Sequence, residues 1–214
     1  MHNNSWYKNI KKHLSNLPGE SAHLEMIPYR LPSSSYNSDY KSAKLSAVMC
    51  LLFHKNNETF CILMERTKDG GKHSGQMSFP GGKKENNDPN LEFTALRETY
   101  EEIGVHSDSI TVLGQLTQVY IPISNFLIAP FLGVIHSDFE FNLSAKEVES
   151  IVVFKLSDLL NPANKQQRNI KNHIGLTMKN IPCFVLENKI VWGATSLILN
   201  EFKVVLEKVN GVKL

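Results

Sequence analysis

Apolar positions change their period several times along the chain. Over residues 5–16, Trp6, Ile10 and Leu14 recur four apart, the spacing of an amphipathic helix, and Leu17-Pro18-Gly19 ends it. Residues 31–44 are rich in Ser, Tyr, Asn and Lys and read as a loop leading into the main domain. Residues 47–53 and 59–65 are two short apolar runs, and the polar stretch between them contains Asn56-Asn57, which predicts a β-hairpin. Residues 68–78 are rich in Gly and polar side chains and predict a loop, closed by Phe79-Pro80-Gly81-Gly82. The pattern then turns helical over 89–103, with Asp88 as the expected N-cap, Pro89 at the first helical position and Gly104 as the stop. Strands are expected at 110–117, 126–135 and 151–154, the last running into a short helical turn that ends near residue 160. The polar stretch 161–172 reads as a loop, and 182–186 with 189–192 as a second hairpin turning at Glu187-Asn188. A final helix is expected over 194–209, with Ile198, Phe202 and Val205 on one stripe. Strands interspersed with two main helices predict an α/β fold, a sheet flanked by helices on both faces.

Composition narrows the classes without naming one. The 214 residues suit one domain with an extension, and 42% hydrophobic residues suffice for a sizeable core. Twenty-three Lys and Arg against 21 Asp and Glu leave a net charge of +2, which argues against a nucleic-acid binder and against wholesale disorder. The longest uninterrupted apolar run is the seven residues 47–53. A membrane-spanning helix needs about 20, so no membrane role is expected. The N-terminus is polar and lacks the apolar core of a signal peptide. The three cysteines, Cys50, Cys61 and Cys183, form no close pair in sequence and read as buried reduced thiols of a cytoplasmic protein.

The strongest chemical signal lies on the central helix. Phe93, Leu96, Tyr100 and Ile103 make an apolar stripe, and Glu98, Glu101 and Glu102, at i, i+3 and i+4, share a face turned away from it. Arg97 is spaced to pair with Glu101. Three like charges packed together destabilise a helix unless a cation neutralises them, and hard cations such as Mg²⁺ take oxygen ligands. Taken alone, such a face is a solvated acidic surface. The Gly81-Gly82 loop just upstream shifts the reading toward a metal or phosphate site, because glycine lets backbone carbonyls or amides approach a ligand closely.

The stretch Gly82-x5-Asp88-x8-Arg97-Glu98-Thr99-Tyr100-Glu101-Glu102-Ile103-Gly104-Val105 resembles the Nudix box. That box runs Gly-x5-Glu-x7-Arg-Glu-U-x-Glu-Glu-x-Gly-U, with U a bulky aliphatic residue. Here Asp88 replaces Glu, the second spacer is one residue longer, and Thr99 occupies a U position. The resemblance implies the Nudix fold, an α/β/α sandwich around a mixed sheet. It also implies hydrolysis of a nucleoside diphosphate derivative, a small-molecule partner, with Mg²⁺ or Mn²⁺ as cofactor. Glu98, Glu101 and Glu102 would be metal ligands, the Gly82 region would add a backbone carbonyl, and Arg97 would orient the carboxylates of the catalytic set. A glutamate would act as general base, either in the helix or in a later loop, where Glu147 and Glu149 are the candidates.

The upstream segment Ile62-Leu63-Met64-Glu65-Arg66-Thr67-Lys68-Asp69-Gly70-Gly71-Lys72-His73-Ser74-Gly75-Gln76-Met77-Ser78-Phe79-Pro80-Gly81-Gly82 resembles the extra motif of the coenzyme A pyrophosphatase branch. That motif is approximately Leu-Leu-Thr-x-Arg-(Ser/Ala)-x3-Arg-x3-Gly-x3-Phe-Pro-Gly-Gly. Arg66, Gly75, Phe79, Pro80, Gly81 and Gly82 match in register, whereas Gly71 stands where the motif has a second Arg. The longer box spacer, Tyr120-Ile121-Pro122-Ile123-Ser124-Asn125-Phe126 and Trp192-Gly193-Ala194-Thr195 are similar to that branch too, so the resemblance spans about residues 45–208. It implies cleavage of coenzyme A or acyl-coenzyme A to 3′,5′-ADP and 4′-phosphopantetheine, with Arg66, Lys72 and Gly81 at the substrate. The alternatives are another nucleoside diphosphate derivative such as ADP-ribose or NADH, or a non-catalytic Nudix-fold binding module. The expected division is an extension at 1–44 and a Nudix domain at 45–210, the extension either covering the domain or pairing subunits of a homodimer.

Overall fold

The structure is a computed structural model describing residues 6–27, 35, 42–68, 74–171 and 175–209. Helices α1 (Trp6–His13) and α2 (Glu20–Leu24) precede strands β1 (Lys44–Lys55), β2 (Glu58–Arg66), β3 (Met77–Ser78) and β4 (Gly81–Lys83). Helix α3 (Leu91–Ile103) follows, then β5 (Ile110–Gln115), β6 (Val119–Ile121), β7 (Phe126–Ile135) and β8 (Val148–Lys155). The chain ends with α4 (Leu156–Leu160), β9 (Lys165–Lys171), β10 (Thr177–Leu186), β11 (Lys189–Val191) and α5 (Ala194–Lys208). Among the described residues no helix is long and apolar enough to cross a membrane.

Strands β1 to β8 form one mixed sheet. β1 runs parallel to β7, while β2, β4, β5, β6 and β8 make antiparallel pairs. Both faces are covered, so the central strands are apolar throughout instead of alternating with polar residues. The alternation of side chains sorts those residues into two cores. Cys50, Leu52, Cys61, Leu63, Leu132 and Val134 face α5, which also packs against α1, α2 and α4. Met49, Leu51, Ile62, Met64, Ala129 and Phe131 face α3. This is the expected α/β/α layering. The expected hairpins form as well: Asn56 and Asn57 (φ 52° and 62°), and Glu187 and Asn188 (φ 47° and 61°), make two-residue turns with both central residues left-handed. In the last helix, Ile198, Phe202 and Val205 are buried as the stripe required.

Several expectations are corrected. Of the stretch 161–172, residues 161–171 are not a loop: a short 3-10 turn at Pro162–Asn164 leads into β9, the edge of a second sheet ordered β11-β10-β9. Among the described residues β9 pairs on one side only and buries Ile170 alone, so its composition stays polar. The strand expected at 151–154 extends to Val148–Lys155 because it pairs along most of β2. The loop expected at 68–78 contains β3, which zips onto Met64 and Glu65 of β2. Most of the stretch 31–44 and all of 69–73, including Gly71 and Lys72, lie outside the described residues.

The start of α3 also differs. Asn90, in extended conformation, is the N-cap, and its Oδ1 accepts from the Phe93 N–H at 2.8 Å. Asp88 is occupied elsewhere, accepting from the Glu85 N–H, the Thr94 hydroxyl and Arg97. The helix is rotated relative to its apolar stripe. Phe93 and Tyr100 are about half exposed, at 46% and 53%, whereas Ala95, Thr99 and Glu102 are buried. The carboxylate face therefore turns partly into the sheet instead of away from it.

Candidate functional site

The site stands at a fork in the sheet. β1 pairs with β2 from Leu51 to Lys55, but over Ser46 to Val48 its partner is β4. The two long strands splay apart and residues 77–83 fill the gap, Met77-Ser78 against β2 and Gly81–Lys83 against β1. Helix α3 lies across β1 and β4 and sets its acidic face on this insert.

Close approach explains both glycines. A Cβ on Gly81 would lie 2.3 Å from the Ala47 carbonyl oxygen, and one on Gly82 would lie 2.4 Å from the Glu98 carboxyl carbon. The Gly82 backbone thus forms a flat floor under the Glu98 carboxylate. The Gly81 N–H donates to Glu102 Oε2 at 2.7 Å. Arg66, the last residue of β2, brings its guanidinium to 3.5 Å from Glu102 Oε1.

Arg97 organises the outer half. Its Nε and Nη2 each donate to an Asp88 carboxylate oxygen at 3.0 Å, a bidentate fork. Its Nη1 reaches Glu98 at 2.9 Å and Glu101 at 2.8 Å, and its Nη2 donates to the Lys83 carbonyl at 3.2 Å. The Arg97 fork, with further hydrogen bonds from the Glu85 N–H and Thr94, holds the Asp88 carboxyl well below the usual carboxylate range. Asp88 is the residue that sequence reasoning misplaced. It anchors the arginine, and its acidic position in the box was the signal.

The inner carboxyls behave oppositely. Burial pushes Glu102 up to about 8, against the opposing pull of the Gly81 N–H and Arg66. Burial also raises Glu98, with Arg97 opposing and the charges of Glu101 and Glu147 adding to the rise. The chain before Glu147 wraps the end of α3, where the Asn142 N–H donates to the Ile103 carbonyl and the Ser144 N–H to the Glu102 carbonyl. The Thr67 N–H then ties the Glu147 carbonyl to the end of β2 at 3.1 Å. Glu149 is an exposed residue of β8.

The structure therefore brings together Arg66, Gly81, Gly82, Arg97, Glu98, Glu101 and Glu102, and the exposed Glu147 adds its charge to theirs. Glu101 is the outlying member, with its side chain 52% exposed. Among the described residues no three His, Cys, Asp or Glu side chains already form a cation cage, because Arg97, Arg66 and the Gly81 N–H divide the carboxylates among them. The donor set still suits a hard divalent cation: oxygen ligands on a rigid helix, electrostatically crowded, over a glycine floor that leaves the backbone bare.

A protein-family model, the NUDIX domain, matches residues 43–174. The uncharacterized Nudix hydrolase NudL of Enterobacter sp. is 26% identical over 178 residues, covering 81% of this chain and 88% of its own. NudL of Yersinia enterocolitica is 29% identical over 168 residues, covering 78% and 82%. Among solved structures, a MutT/Nudix family protein from Enterococcus faecalis superposes with a TM-score of 0.51 at 17% identity, covering 88% of this chain and 74% of that one. The family match takes in the glycine floor, the acidic helix and the chain that carries Glu147, and this protein belongs to the Nudix hydrolase family.

Proposed function

We propose that the protein hydrolyses the diphosphate linkage of coenzyme A or its thioesters, releasing 3′,5′-ADP and (acyl-)4′-phosphopantetheine. The observation that carries the hydrolytic reading is the packing of the acidic face of α3 onto the Gly81-Gly82 floor beside Arg66. Glu98, Glu101 and Glu102 are the carboxylates that would hold the cation, with the backbone of Gly82 beside them. A divalent cation, Mg²⁺ or Mn²⁺, supplies there a Lewis acid that draws negative charge from the diphosphate and makes water more acidic.

The chain's own groups do the rest. Arg97, clamped by Asp88, holds Glu98 and Glu101 in position. Arg66 stands at the inner end with its guanidinium partly exposed, able to meet a phosphate oxygen while it steadies Glu102. Glu147 is the general base in this reading: an exposed residue of a separate segment whose charge acts on Glu98 and Glu102, it takes the proton from the attacking water. Coenzyme A is favoured over other diphosphates by the run from Arg66 to Gly82, which resembles the coenzyme A branch. A reducing cytoplasmic setting agrees with the three free, buried cysteines.

The test is a side-by-side assay of coenzyme A, acetyl-coenzyme A, ADP-ribose and NADH with Mg²⁺, with products resolved by chromatography. The expected result is 3′,5′-ADP from the first two at a kcat/KM well above that for the others. Brisk cleavage of ADP-ribose or NADH with none of coenzyme A overturns the substrate assignment.

A further inference from the structure

We propose that Ser78 is a further substrate contact, its hydroxyl donating a hydrogen bond to an oxygen of the bound diphosphate; this rests on the diphosphate-hydrolase reading above. Ser78 Oγ is a buried polar atom that finds no hydrogen-bond partner among the described residues. Buried hydroxyls are ordinarily satisfied, and one left alone costs stability, so an orphan in a native site calls for a cause.

Its position supplies one. Ser78 ends β3 directly opposite Met64 of β2. Directly paired residues share a face of the sheet, and Met64 lies in the core under α3 with Ala95 and Ile103. Ser78 therefore faces the layer that carries Glu98 and Glu102. Its neighbours Met77 and Phe79 point the other way, into the core under α5, and the Thr195 hydroxyl holds the Met77 carbonyl at 2.9 Å. The side chain cannot swing to that core without unzipping β3. On the site face, Arg66 follows Met64 along β2 and reaches Glu102, and Gly81, three residues beyond Ser78, donates to the same carboxylate. Ser78 thus lies on the α3 face of the insert, on the strand next to the one that ends in Arg66 and three residues before Gly81.

A serine hydroxyl is a rotor that turns toward any acceptor in reach. Among the described residues none is in reach, so the partner arrives with the ligand, and the buried hydroxyl turns about χ1 to meet it. A diphosphate carries several acceptor oxygens. A neutral donor at this depth binds one of them without competing with the cation for charge, the part that Arg66 plays at the rim.

The experiment compares wild type, Ser78→Ala and Ser78→Thr as full-length protein. Calorimetric titration with α,β-methylene-ADP, a diphosphate that cannot be cleaved at that position, is done in the presence of Mg²⁺, and Mg²⁺ alone is titrated separately. Ser78→Ala is expected to weaken the analogue about tenfold, the loss typical of one hydrogen bond to a charged acceptor. Affinity for Mg²⁺ alone and the melting temperature without ligand are expected to hold or rise, and Ser78→Thr to recover most of the analogue affinity. Analogue binding by Ser78→Ala equal to wild type, with an unchanged KM, overturns the proposal. A wild type that binds the analogue but cleaves no diphosphate ester overturns the hydrolase reading instead, and the two failures are told apart in one series.

Discussion

At Glu102 burial and charge are in open conflict. The side chain is 1% exposed and its carboxyl is pushed up to about 8, while one N–H and one guanidinium favour its ionised form. A neutral isostere fits that environment at least as well as the acid does. Glu102→Gln is therefore expected to keep or raise the melting temperature without metal, yet to lose at least about 100-fold in kcat, the scale of removing one preorganised electrostatic group. Unchanged turnover in that variant would remove the metal helix from the mechanism. Asp88 shows the opposite balance. Its folded pKa is depressed, so its ionised form stabilises the fold above the unfolded value of about 3.9, and that contribution disappears as pH falls through the folded value. Urea denaturation should find wild type more stable than Asp88→Asn at pH 7, with the gap closing from about pH 4 downward. A gap that stays constant with pH contradicts the Arg97–Asp88 fork as the source. The shared face of Glu98, Glu101 and Glu102 and the pairing of Arg97 with Glu101 were legible in the sequence because their spacing is a property of one helix. Ser78 was not, because an orphaned hydroxyl exists only once its surroundings are known.

Helix α3 is the element on which the site depends, and its extent was readable while its rotation was not. Phe93, Leu96, Tyr100 and Ile103 share a face, but the sheet fork under the helix offers backbone at Gly81 and Gly82 instead of an apolar groove. Ala95, Thr99 and Glu102 fit that surface closely, and Phe93 and Tyr100 are left outward. Two devices hold the helix at this angle, the Asn90 cap at its start and the Asn142 and Ser144 amides at its end. Asn90→Ala should destabilise the protein by about 1 kcal/mol, a fall in melting temperature of about 2–4 °C for a chain of this size. No measurable change would mean that water serves the Phe93 N–H equally well. Strand β9 is the converse case: nothing in its composition announces a strand, since pairing with β10 makes it one.

Across the whole molecule, a buried polar knot joins the N-terminal segment to the rest. Glu201 of α5 is fully buried and accepts from the Gly19 N–H at 3.2 Å, the Thr117 N–H at 3.0 Å and the Thr117 hydroxyl at 2.5 Å, with His23 Nε2 of α2 at 3.2 Å. Burial opposes its charge, but the bonds from His23 and Thr117 outweigh that and hold the carboxyl below its ordinary value. Breaking such a pair strands the remaining donors, so Glu201→Ala should cost about 3–5 kcal/mol in urea denaturation. A loss under 1 kcal/mol would show that the knot does not secure α2. Periodicity and spacing, which are local, were enough to read the α/β layering, both hairpins, the last helix and the shared helix face of Glu98, Glu101 and Glu102. Long-range contacts settled the rest: the turn of α3 onto its glycine floor, the pairing that makes β9 a strand, the role of Asp88 as the arginine's anchor and the docking of the Glu147 backbone at the end of β2. Each of those depends on which surfaces meet across the sheet, and burial and electrostatics arise there from residues far apart in the chain.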